Sequence, residues 1–352
     1  MEPIRVLVVD DSAFMRKLIS EMINEDPRMT VVSTARDGED ALKKIKASAP
    51  DVVTLDVNLP KLNGLEVIER VMAEHPVPII LLSSLTDKGA RVTIEAMALG
   101  AMDFVTKPSG EISLDIHKVK ESLITKILNA GQISVQQAAN TVDEHVVQPL
   151  IEQKRDTALQ LICIGASTGG PKALRAVLSK LPSDLPVPII VVQHMPPAFT
   201  HSLAQKLNEW SPAIVKEAAH GELLQKGTIY IAPGGFQTRI QTVGRSLAFY
   251  IDKSPAVRGL RPCYNVLLES VAEHKLDSVL TVTLTGMGSD GADGLKALKK
   301  VSRVYAIAES EATSVIFGMP KAAIQTGLVN EIVNLDDISS AIIKQINKGG
   351  IS

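Results

Sequence analysis

Several features that mark special classes of protein are scarce in this sequence of 352 residues. It contains only two cysteines, Cys163 and Cys263, and no ligand-like spacing surrounds them, which argues against a disulfide framework and a cysteine zinc cluster. We therefore expect a reducing compartment, with the cytoplasm as the default. The formal net charge is only −2, so charge provides no reason to expect nucleic acid or an anionic membrane as a partner.

Long apolar runs are lacking as well. No stretch approaches the roughly 18 consecutive apolar residues of a membrane-spanning helix. The N-terminal run 6–9 is far shorter than the core of a secretion signal, and two acids follow it. Hydrophobic residues make up 45% and charged residues 22%, as in an ordinary globular protein. At roughly 150 residues per domain, the length predicts two domains.

Short apolar runs alternate with amphipathic stretches along the first part of the chain, which favours a parallel sheet with helices on both faces. The predicted strands are Arg5–Val9, Val31–Ala35, Val52–Leu55, Ile79–Leu82 and Asp103–Val105. The predicted helices are Phe14–Asn24, Glu39–Ala47, Leu65–Ala73, Ala90–Leu99 and Leu114–Leu128.

The composition changes near residue 130, where Gln, Asn and charged residues replace the regular apolar spacing up to residue 157. Such a stretch is typical of a linker, partly helical at most. Beyond it, the predicted strands are Leu161–Ile164, Pro188–Val192, Thr228–Ala232, Ser278–Leu284 and Val304–Ala308, and the predicted helices are Lys172–Leu181, Phe199–Trp210, Val266–His274 and Leu295–Val301. Residues 237–251 are predicted to form a two-strand excursion on the edge of this second sheet. We predict a first domain at 1–125, a linker at 126–156 and a second α/β domain at 157–349.

Chemistry-bearing side chains follow successive strands of the first domain, and in doubly wound sheets ligands bind beyond the carboxyl ends of the strands. These residues are Asp10 and Asp11, Asp56, Ser83 and Ser84, and Lys107. Carboxylate oxygens suit Mg²⁺, and a metal together with a lysine offsets charge while a carboxylate attacks a phosphoryl group. The alternative is that Asp10 and Asp11 only cap a helix while Asp56 lies on a solvated loop.

The motifs VVDDS, LDVNLP, LSS and DFVTKP stand in order at successive strand ends, and this set resembles the receiver domain of two-component response regulators over about residues 3–125. The resemblance implies a flavodoxin-like (βα)5 fold with parallel strand order 2-1-3-4-5, and phosphorylation of Asp56 by a histidine kinase. It implies Mg²⁺ on Asp10, Asp11, Asp56 and the backbone carbonyl of Asn58. It also implies that Ser83 is the hydroxyl switch, Phe104 the aromatic rotor and Lys107 the lysine that senses the phosphoryl group.

In the second domain, a Gly-x-Ser-x-Gly pattern at residues 165–169 lies between a predicted strand and a predicted helix. This is the context of a nucleophilic serine, and the helix N-terminus behind Ser167 favours developing negative charge. A glycine-rich loop in this place is equally suited to cradling a phosphate. From this segment alone, both interpretations stay open.

A serine nucleophile needs a base and an orienting acid. We favour His194 as the base because it follows the next predicted strand, at the same sheet edge as Ser167. We favour Asp290, in a glycine-rich turn after the strand 278–284, as the acid. Asp293 is the competing choice, although its place nearer the helix is better suited to capping. The order Ser, His, Asp does not match the α/β-hydrolases, but triads are defined by geometry rather than by order.

A different interpretation of the same turn is nucleotide binding. Gly286, Gly288 and Gly291 form a Gly-x-Gly-x-x-Gly fingerprint, and Glu309 stands where a ribose-binding acid is expected. The charge of Asp290 inside that loop would repel a pyrophosphate, which disfavours this alternative.

The segments GASTGGP, QHMPPAFT, YIAPGG, TLTGMGSDGADG and ATSVIFGMPKAA follow the receiver and linker in this order. Together they resemble the chemotaxis protein-glutamate methylesterase family over essentially the whole chain. The resemblance implies a doubly wound, mostly parallel second domain that hydrolyses glutamate γ-methyl esters, and deamidates some glutamines, on chemoreceptors during adaptation. It implies Ser167 as nucleophile, His194 as base and then acid, and Asp290 as orienting carboxylate, with no cofactor for the esterase reaction.

The resemblance further implies that the Met287 backbone N–H contributes to the oxyanion hole and that Thr168 supports the histidine. Phe236 and Cys263 depart from the residues expected in many relatives, a histidine and a small hydroxyl residue respectively, which bears on substrate preference. We hypothesise that the unphosphorylated receiver covers the Ser167 cleft and that phosphorylation weakens this packing. The alternative from another functional class is that the second domain is a non-catalytic binding module regulated by the receiver.

Overall fold

The computed structural model describes residues 2–107, 114–137 and 158–348. The chain divides into two compact units, Met1–Asp143 and Glu144–Ser352. No helix within these described residues is both long enough and apolar enough to cross a membrane.

The first unit is a five-stranded, fully parallel sheet with strand order β2-β1-β3-β4-β5. Its strands are β1 (Ile4–Val9), β2 (Met29–Ala35), β3 (Val52–Asp56), β4 (Ile79–Ser83) and β5 (Asp103–Thr106). Its helices are α1 (Ala13–Asn24), α2 (Gly38–Ser48), α3 (Gly64–Glu74), α4 (Asp87–Leu99) and α5 (Leu114–Gln137). The predicted strand order is confirmed.

Capping side chains set the starts of α1, α2, α3 and α4 in this unit. Ser12, Asp37 and Thr86 accept hydrogen bonds from the first turns of α1, α2 and α4, and Asn63 forms a reciprocal capping box with Glu66 at the start of α3. Every residue of β3 and β4 is buried, as expected for inner strands covered on both faces.

Helix α5 is longer than predicted. It ends at Gln137 rather than near Leu128, so it includes residues 126–137 of the predicted linker. The reason is packing on the sheet: Ala130 and Gly131 are buried, and a Cβ on Gly131 would lie 2.5 Å from the side chain of Ile4. The polar composition of this segment did not indicate that contact. Residues 138–156 of the predicted linker lie outside the described residues, and the linker boundaries stay a prediction.

The second unit contains a seven-stranded, fully parallel sheet with strand order β14-β13-β12-β6-β7-β9-β8. Its strands are β6 (Leu161–Ala166), β7 (Ile189–Gln193), β8 (Ile214–Glu217), β9 (Thr228–Ile231), β12 (Ser278–Thr283), β13 (Arg303–Glu309) and β14 (Glu331–Val333). Its helices are α6 (Gly170–Leu178), α7 (Phe199–Trp210), α8 (Tyr264–Glu273), α9 (Ala292–Lys299), α10 (Met319–Gln325) and α11 (Leu335–Lys348).

The direction in which strands are added reverses between β6 and β12. From β6 the chain adds β7, β9 and β8 on one side, whereas β12, β13 and β14 lie on the other. Such a switch point leaves a crevice beyond the carboxyl ends of the two central strands, where ligands bind in doubly wound sheets. The segments that follow β6 and β12 are those that carry Ser167 and Asp290.

The structure differs from the sequence prediction at the sheet edges. Strands β8 and β14 and helices α10 and α11 were not predicted; β14 has only three residues, and β8 has four, of which just one is buried. The predicted edge excursion is a hairpin of β10 (Gln237–Val243) and β11 (Ser246–Asp252) that forms a sheet of its own. It packs on α8, where Ile240 N donates to Ser270 Oγ at 2.7 Å, because its apolar face needs a helix to cover it.

Tyr264, the first residue of α8, links this helix to the two central strands of the second sheet. Its ring is fully buried, and its hydroxyl donates to the carbonyls of Cys163 at 2.8 Å and Val282 at 3.3 Å, which belong to β6 and β12. A Cβ on Gly165 would lie 2.2 Å from this ring. Glycine at 165 is therefore required by the close approach of the tyrosine, independently of any role in a serine turn.

We predict that Gly165→Ala lowers the unfolding free energy of the second unit by about 1–3 kcal/mol, the usual cost of an extra carbon in a packed core. Trp210 is the single tryptophan of the chain and lies in α7, so its fluorescence in urea follows this unit specifically. In a Tyr264→Leu background, the same alanine should cost less, because the ring that it meets is gone. An equal cost in both backgrounds would contradict the steric explanation.

Candidate functional site

Three carboxylates meet at the carboxyl edge of the first sheet. Asp10 follows β1, Asp11 comes next, and Asp56 ends β3; their oxygens lie within 4.8 Å of one another, and Asp11 is the exposed member. Lys107, directly after β5, places its Nζ 2.7 Å from Asp10 and 2.8 Å from Asp56. The structure therefore brings the predicted acids and lysine together, and hard carboxylate oxygens at this spacing fit Mg²⁺.

The two buried carboxylates share one ammonium group, that of Lys107. Burial raises the pKa of Asp56 above its usual value, against the opposing hydrogen bond from Lys107. Burial alone would lower the pKa of Lys107, but its bonds to Asp10 and Asp56 outweigh that effect and raise it. Lys107 is thus held as a cation. The neighbouring Asp56 carboxylate is destabilised by burial, so a further positive charge would stabilise it.

The alternative that Asp10 and Asp11 cap a helix is not what the structure shows. The N-cap of α1 is Ser12, whose hydroxyl accepts from Met15 N, whereas Asp10 Oδ1 accepts from Ser12 N at 2.9 Å. Asp10 itself is fully buried. The acids therefore belong to the pocket and not to the helix end.

The other receiver residues implied by the resemblance lie around this pocket. Ser83 ends β4 and is buried, and its hydroxyl accepts from Thr93 Oγ1 at 2.7 Å. Phe104 is buried in β5, with the Lys126 ammonium 5.4 Å from its ring centroid. Asn58 is exposed, and its N–H donates to Asp56 Oδ1 at 3.2 Å. The switch, rotor and metal-carbonyl roles of these three residues stay predictions.

In the second unit, Ser167 stands directly after β6 at the switch point. Its N–H donates to Thr285 O at 3.0 Å and thereby ties it to the segment after β12, while its carbonyl accepts from Gly170 N at 2.8 Å. The strand–turn–helix context is confirmed, since β6 ends at Ala166 and α6 begins at Gly170. The left-handed residue of this turn is Gly169, with φ of 78°, and Ser167 is not among the residues with positive φ. The turn is thus less strained than the elbow of an α/β-hydrolase.

His194 lies beside Ser167 because their strands are neighbours in register. Ala166 pairs with Gln193, and His194 N donates to Ala166 O at 3.1 Å. Across the switch point, His194 Nε2 and Asp290 Oδ2 are 2.8 Å apart, with side-chain exposures of 9% and 4%. The three predicted triad residues therefore come from adjacent positions along one sheet edge.

Asp290 is held in its ionised form. Burial by itself would raise its pKa, but the hydrogen bond from His194 and the backbone N–H groups of Asn265 and Tyr264 outweigh it and lower the pKa. An ionised carboxylate only accepts hydrogen bonds, so Nε2 of His194 donates and Nδ1 is the ring nitrogen left to act as a base.

The remaining predicted residues of this site have clear positions. Met287 is 45% exposed, three residues before Asp290. Thr168 accepts at its carbonyl from Thr285 Oγ1 at 3.0 Å. Asp293 lies in the first turn of α9 without being its N-cap, which is Gly291, and pairs with Arg258 and Lys296 at the surface. Oxyanion stabilisation by Met287 and support of the histidine by Thr168 stay predictions.

Sequence reasoning missed several residues that build the site. Buried Gln193 donates from Nε2 to Ser167 O at 2.9 Å and to His194 O at 3.3 Å, which bridges the two strand ends. Thr285 Oγ1 accepts from Ile316 N at 2.9 Å, which fixes the loop before α10. The one available signal for Gln193 was a polar residue at the end of an otherwise apolar strand.

The structure argues against the dinucleotide alternative at the residue that suggested it. Glu309, at the end of β13, is fully buried and accepts from Thr285 N at 2.8 Å and Thr313 Oγ1 at 3.1 Å. Its carboxylate is thus committed to groups inside the protein rather than to a ribose. Asp290 likewise accepts from His194 and from the start of α8.

Residues 6–120 match the family described as response regulator receiver domain, and residues 162–342 match the family described as CheB methylesterase. Together these two matches define the class of protein: a response regulator that carries its own enzymatic domain. The chain belongs to the protein-glutamate methylesterase family of receiver-linked CheB proteins.

Relatives match over nearly the whole chain. The protein of Oceanobacillus iheyensis named protein-glutamate methylesterase/protein-glutamine glutaminase is 47% identical over 98% of this chain and 100% of its own length. The protein of that name from Bacillus subtilis is 44% identical over 98% of this chain and 99% of its own. The crystal structure of the Thermotoga maritima CheB methylesterase catalytic domain matches 53% of this chain and 99% of its own, with 39% identity and a TM-score of 0.52.

The buried carboxyl of Glu309 generates a pH prediction. Burial raises its pKa above the ordinary value of 4.5, so its contribution to stability is full below that value and is lost as pH rises through the raised pKa. Glu309→Gln removes this titration. We expect the unfolding free energy of the variant, relative to that of the unchanged chain, to increase as pH rises from the ordinary value of 4.5 through the raised pKa. Urea unfolding followed by Trp210 fluorescence measures this difference in unfolding free energy. A difference that stays constant or decreases with pH would contradict the raised pKa of Glu309.

Proposed function

We propose that this chain is a phosphorylation-activated protein-glutamate methylesterase that hydrolyses glutamate γ-methyl esters, and deamidates some glutamines, on chemoreceptors during chemotactic adaptation. The family and the names of the relatives support the reaction class. The observation that carries the proposal is the buried His194–Asp290 hydrogen bond of 2.8 Å at the strand end next to Ser167. A buried imidazole with one nitrogen bound to an ionised acid is a base with a defined orientation.

In the proposed first half-reaction, Nδ1 of His194 takes the proton of Ser167 Oγ as the oxygen attacks the ester carbonyl. Asp290 accepts the hydrogen bond of Nε2–H and stabilises the imidazolium that forms. The tetrahedral intermediate carries its negative charge on the former carbonyl oxygen. In this proposal the Met287 N–H donates a hydrogen bond to that oxygen. The imidazolium then protonates the departing methoxide, so methanol leaves and a glutamyl ester of Ser167 remains.

In the second half-reaction, His194 takes a proton from water, and the resulting hydroxide attacks the glutamyl–serine ester. Collapse of the second tetrahedral intermediate returns the proton to Ser167 Oγ and releases a free glutamate side chain. With a glutamine substrate the same steps apply, and the first leaving group is ammonia instead of methanol. No cofactor enters either half-reaction.

Regulation in this proposal starts at Asp56. Its carboxylate oxygen attacks a phosphohistidine of a partner histidine kinase, and the N–P bond breaks as the O–P bond forms. Asp10, Asp11, Asp56 and the Asn58 carbonyl would hold Mg²⁺, which would neutralise charge on the transferring phosphoryl group. Lys107 exchanges its bond to the Asp56 carboxylate for one to the phosphoryl group, and Ser83 turns its hydroxyl to the same group. The ring of Phe104, the proposed rotor, rotates in the same transition.

The proposed partners are therefore a chemotaxis histidine kinase and methyl-accepting chemoreceptors, and no nucleic acid or membrane insertion is involved. The proposed location is the cytoplasm, where the two buried thiols, Cys163 and Cys263, remain reduced.

We predict that Ser167→Ala lowers the rate of methanol release from a methylated chemoreceptor by roughly 10³-fold or more, because the nucleophile is lost. Ser179→Ala, at the other end of α6, is the matched control and should retain the rate. The Trp210 unfolding midpoint and phosphorylation of Asp56 by a small phosphodonor should both persist in Ser167→Ala. Retained hydrolysis in that variant would exclude the proposed nucleophile.

We predict that a small phosphodonor with Mg²⁺ raises the methanol-release rate of the full chain and that Asp56→Asn abolishes this stimulation. The asparagine keeps the shape of the side chain but cannot form an acyl phosphate. Asp51→Asn, whose carboxylate accepts from Arg5 N at the amino edge of the same sheet, is the control that should keep the stimulation. Stimulation of the Asp56→Asn chain would refute regulation through this residue.

A further inference from the structure

The carboxylate of Asp290 is saturated by hydrogen bonds, and only one of them comes from the proposed base. Its five donors and their distances are His194 Nε2 (2.8 Å), Tyr264 N (2.6 Å), Asn265 N (2.9 Å), Gly291 N (3.1 Å) and the Cys263 thiol (3.1 Å). An ionised carboxylate has about four lone-pair sites. Its position is therefore determined by more contacts than the bond to His194 alone provides.

Most of these donors belong to the start of α8. Cys263 is the N-cap of this helix, and Tyr264 and Asn265 are its first two residues. Cys263 makes no side-chain capping bond to its own helix. The free N–H groups of the first turn are instead capped by a carboxylate from a distant part of the chain, and the positive end of the helix favours its charge.

The Cys263 side chain acts as a donor where an N-cap side chain normally accepts. It is 1% exposed, and its thiol lies against Asp290 Oδ1. Burial, together with the charge of Asp290, raises the pKa of this thiol to about 12, so the sulfur keeps its proton and can donate it. Since Oδ1 is held by the thiol, Oδ2 is left to face the histidine.

Asn265 completes the arrangement from the opposite direction. Its side-chain Oδ1 accepts from Gly291 N at 2.9 Å and from Gly294 N at 2.8 Å, and so caps α9, whose own N-cap is a glycine. Asp290 thus caps α8, and Asn265 of α8 caps the helix that follows Asp290. The two helix starts hold each other in place.

We propose that Cys263 and Asn265 are positioning residues that orient the Asp290 carboxylate toward His194. Asp290 lies in a turn between Gly288 and Gly291, whose φ angles are 84° and 98°. Glycines add backbone freedom, so such a turn by itself does not hold a side chain in one orientation. The contacts with the first turn of α8 hold the Asp290 side chain in one orientation. This inference rests on the proposed function, since it assigns roles within the Ser167–His194–Asp290 reaction.

The test uses the full chain and methanol release from a methylated chemoreceptor. Cys263→Ala should lower kcat by about three- to tenfold with KM unchanged, because one donor to a charged catalytic group is lost. Cys263→Ser supplies a hydroxyl donor at the same place and should restore kcat to within about twofold.

The chain offers a matched control in its other cysteine. Cys163 is also fully buried, but its side chain does not contact Asp290 among the described contacts. Cys163→Ala removes the same atoms from the core and should lower the Trp210 unfolding midpoint while leaving kcat unchanged. An unchanged kcat in Cys263→Ala, an equal loss in Cys163→Ala, or no recovery in Cys263→Ser would overturn the proposal for Cys263.

Asn265→Ala should likewise lower kcat rather than raise KM, and Asn208→Ala is its control. Asn208 lies near the end of α7, and its Oδ1 accepts from Val215 N of β8 at 2.8 Å, so its loss should cost stability alone. If Asn265→Ala changes KM only, or leaves kcat unchanged, the role of Asn265 is refuted. Ser167→Ala is measured in parallel: activity there refutes the proposed function, whereas inactivity there with unchanged kcat in Cys263→Ala and Asn265→Ala refutes only the positioning.

Discussion

The triad proposed for the second unit depends on one buried hydrogen bond, between Nε2 of His194 and the carboxylate of Asp290. Both side chains are more than nine-tenths buried, and a charge in that environment is stable only when it is paired and fully hydrogen-bonded. The bond from His194, together with the N–H groups of Asn265 and Tyr264, meets this requirement and lowers the pKa of the acid. Because the acid binds Nε2, Nδ1 of His194 is the ring nitrogen that the proposed mechanism pairs with the serine.

The acidic pocket of the first unit solves a related electrostatic problem in a different way. There, two buried carboxylates share the ammonium group of Lys107. Such a site would gain stability from an additional cation, which fits the Mg²⁺ proposed there. In the second unit the carboxylate is saturated by protein donors, and this suits a permanent orienting role.

Much of the fold followed from local patterns, and the exceptions have physical reasons. Runs such as Leu161–Ala166 are apolar because inner strands of a parallel sheet are covered on both faces, so they were found from the sequence. Helix α5 extends into a polar segment because Gly131 packs on Ile4, a contact between distant residues. Strand β8 has a single buried residue and gave no pattern to find. Cys263 was singled out only as a departure from relatives, since its partner Asp290 is 27 residues away.

The sequence by itself determined the two α/β domain types, the strand ends that carry Asp10, Asp56, Ser167 and His194, and the glycine-rich turn that carries Asp290, because chemistry at the carboxyl edge of a sheet leaves a short local motif after each strand. Only the tertiary structure decided which nitrogen of His194 meets Asp290, that Ser167 lacks a strained elbow, and that the first turn of α8 holds the acid. These properties arise from contacts between segments remote in sequence. No local pattern encodes them.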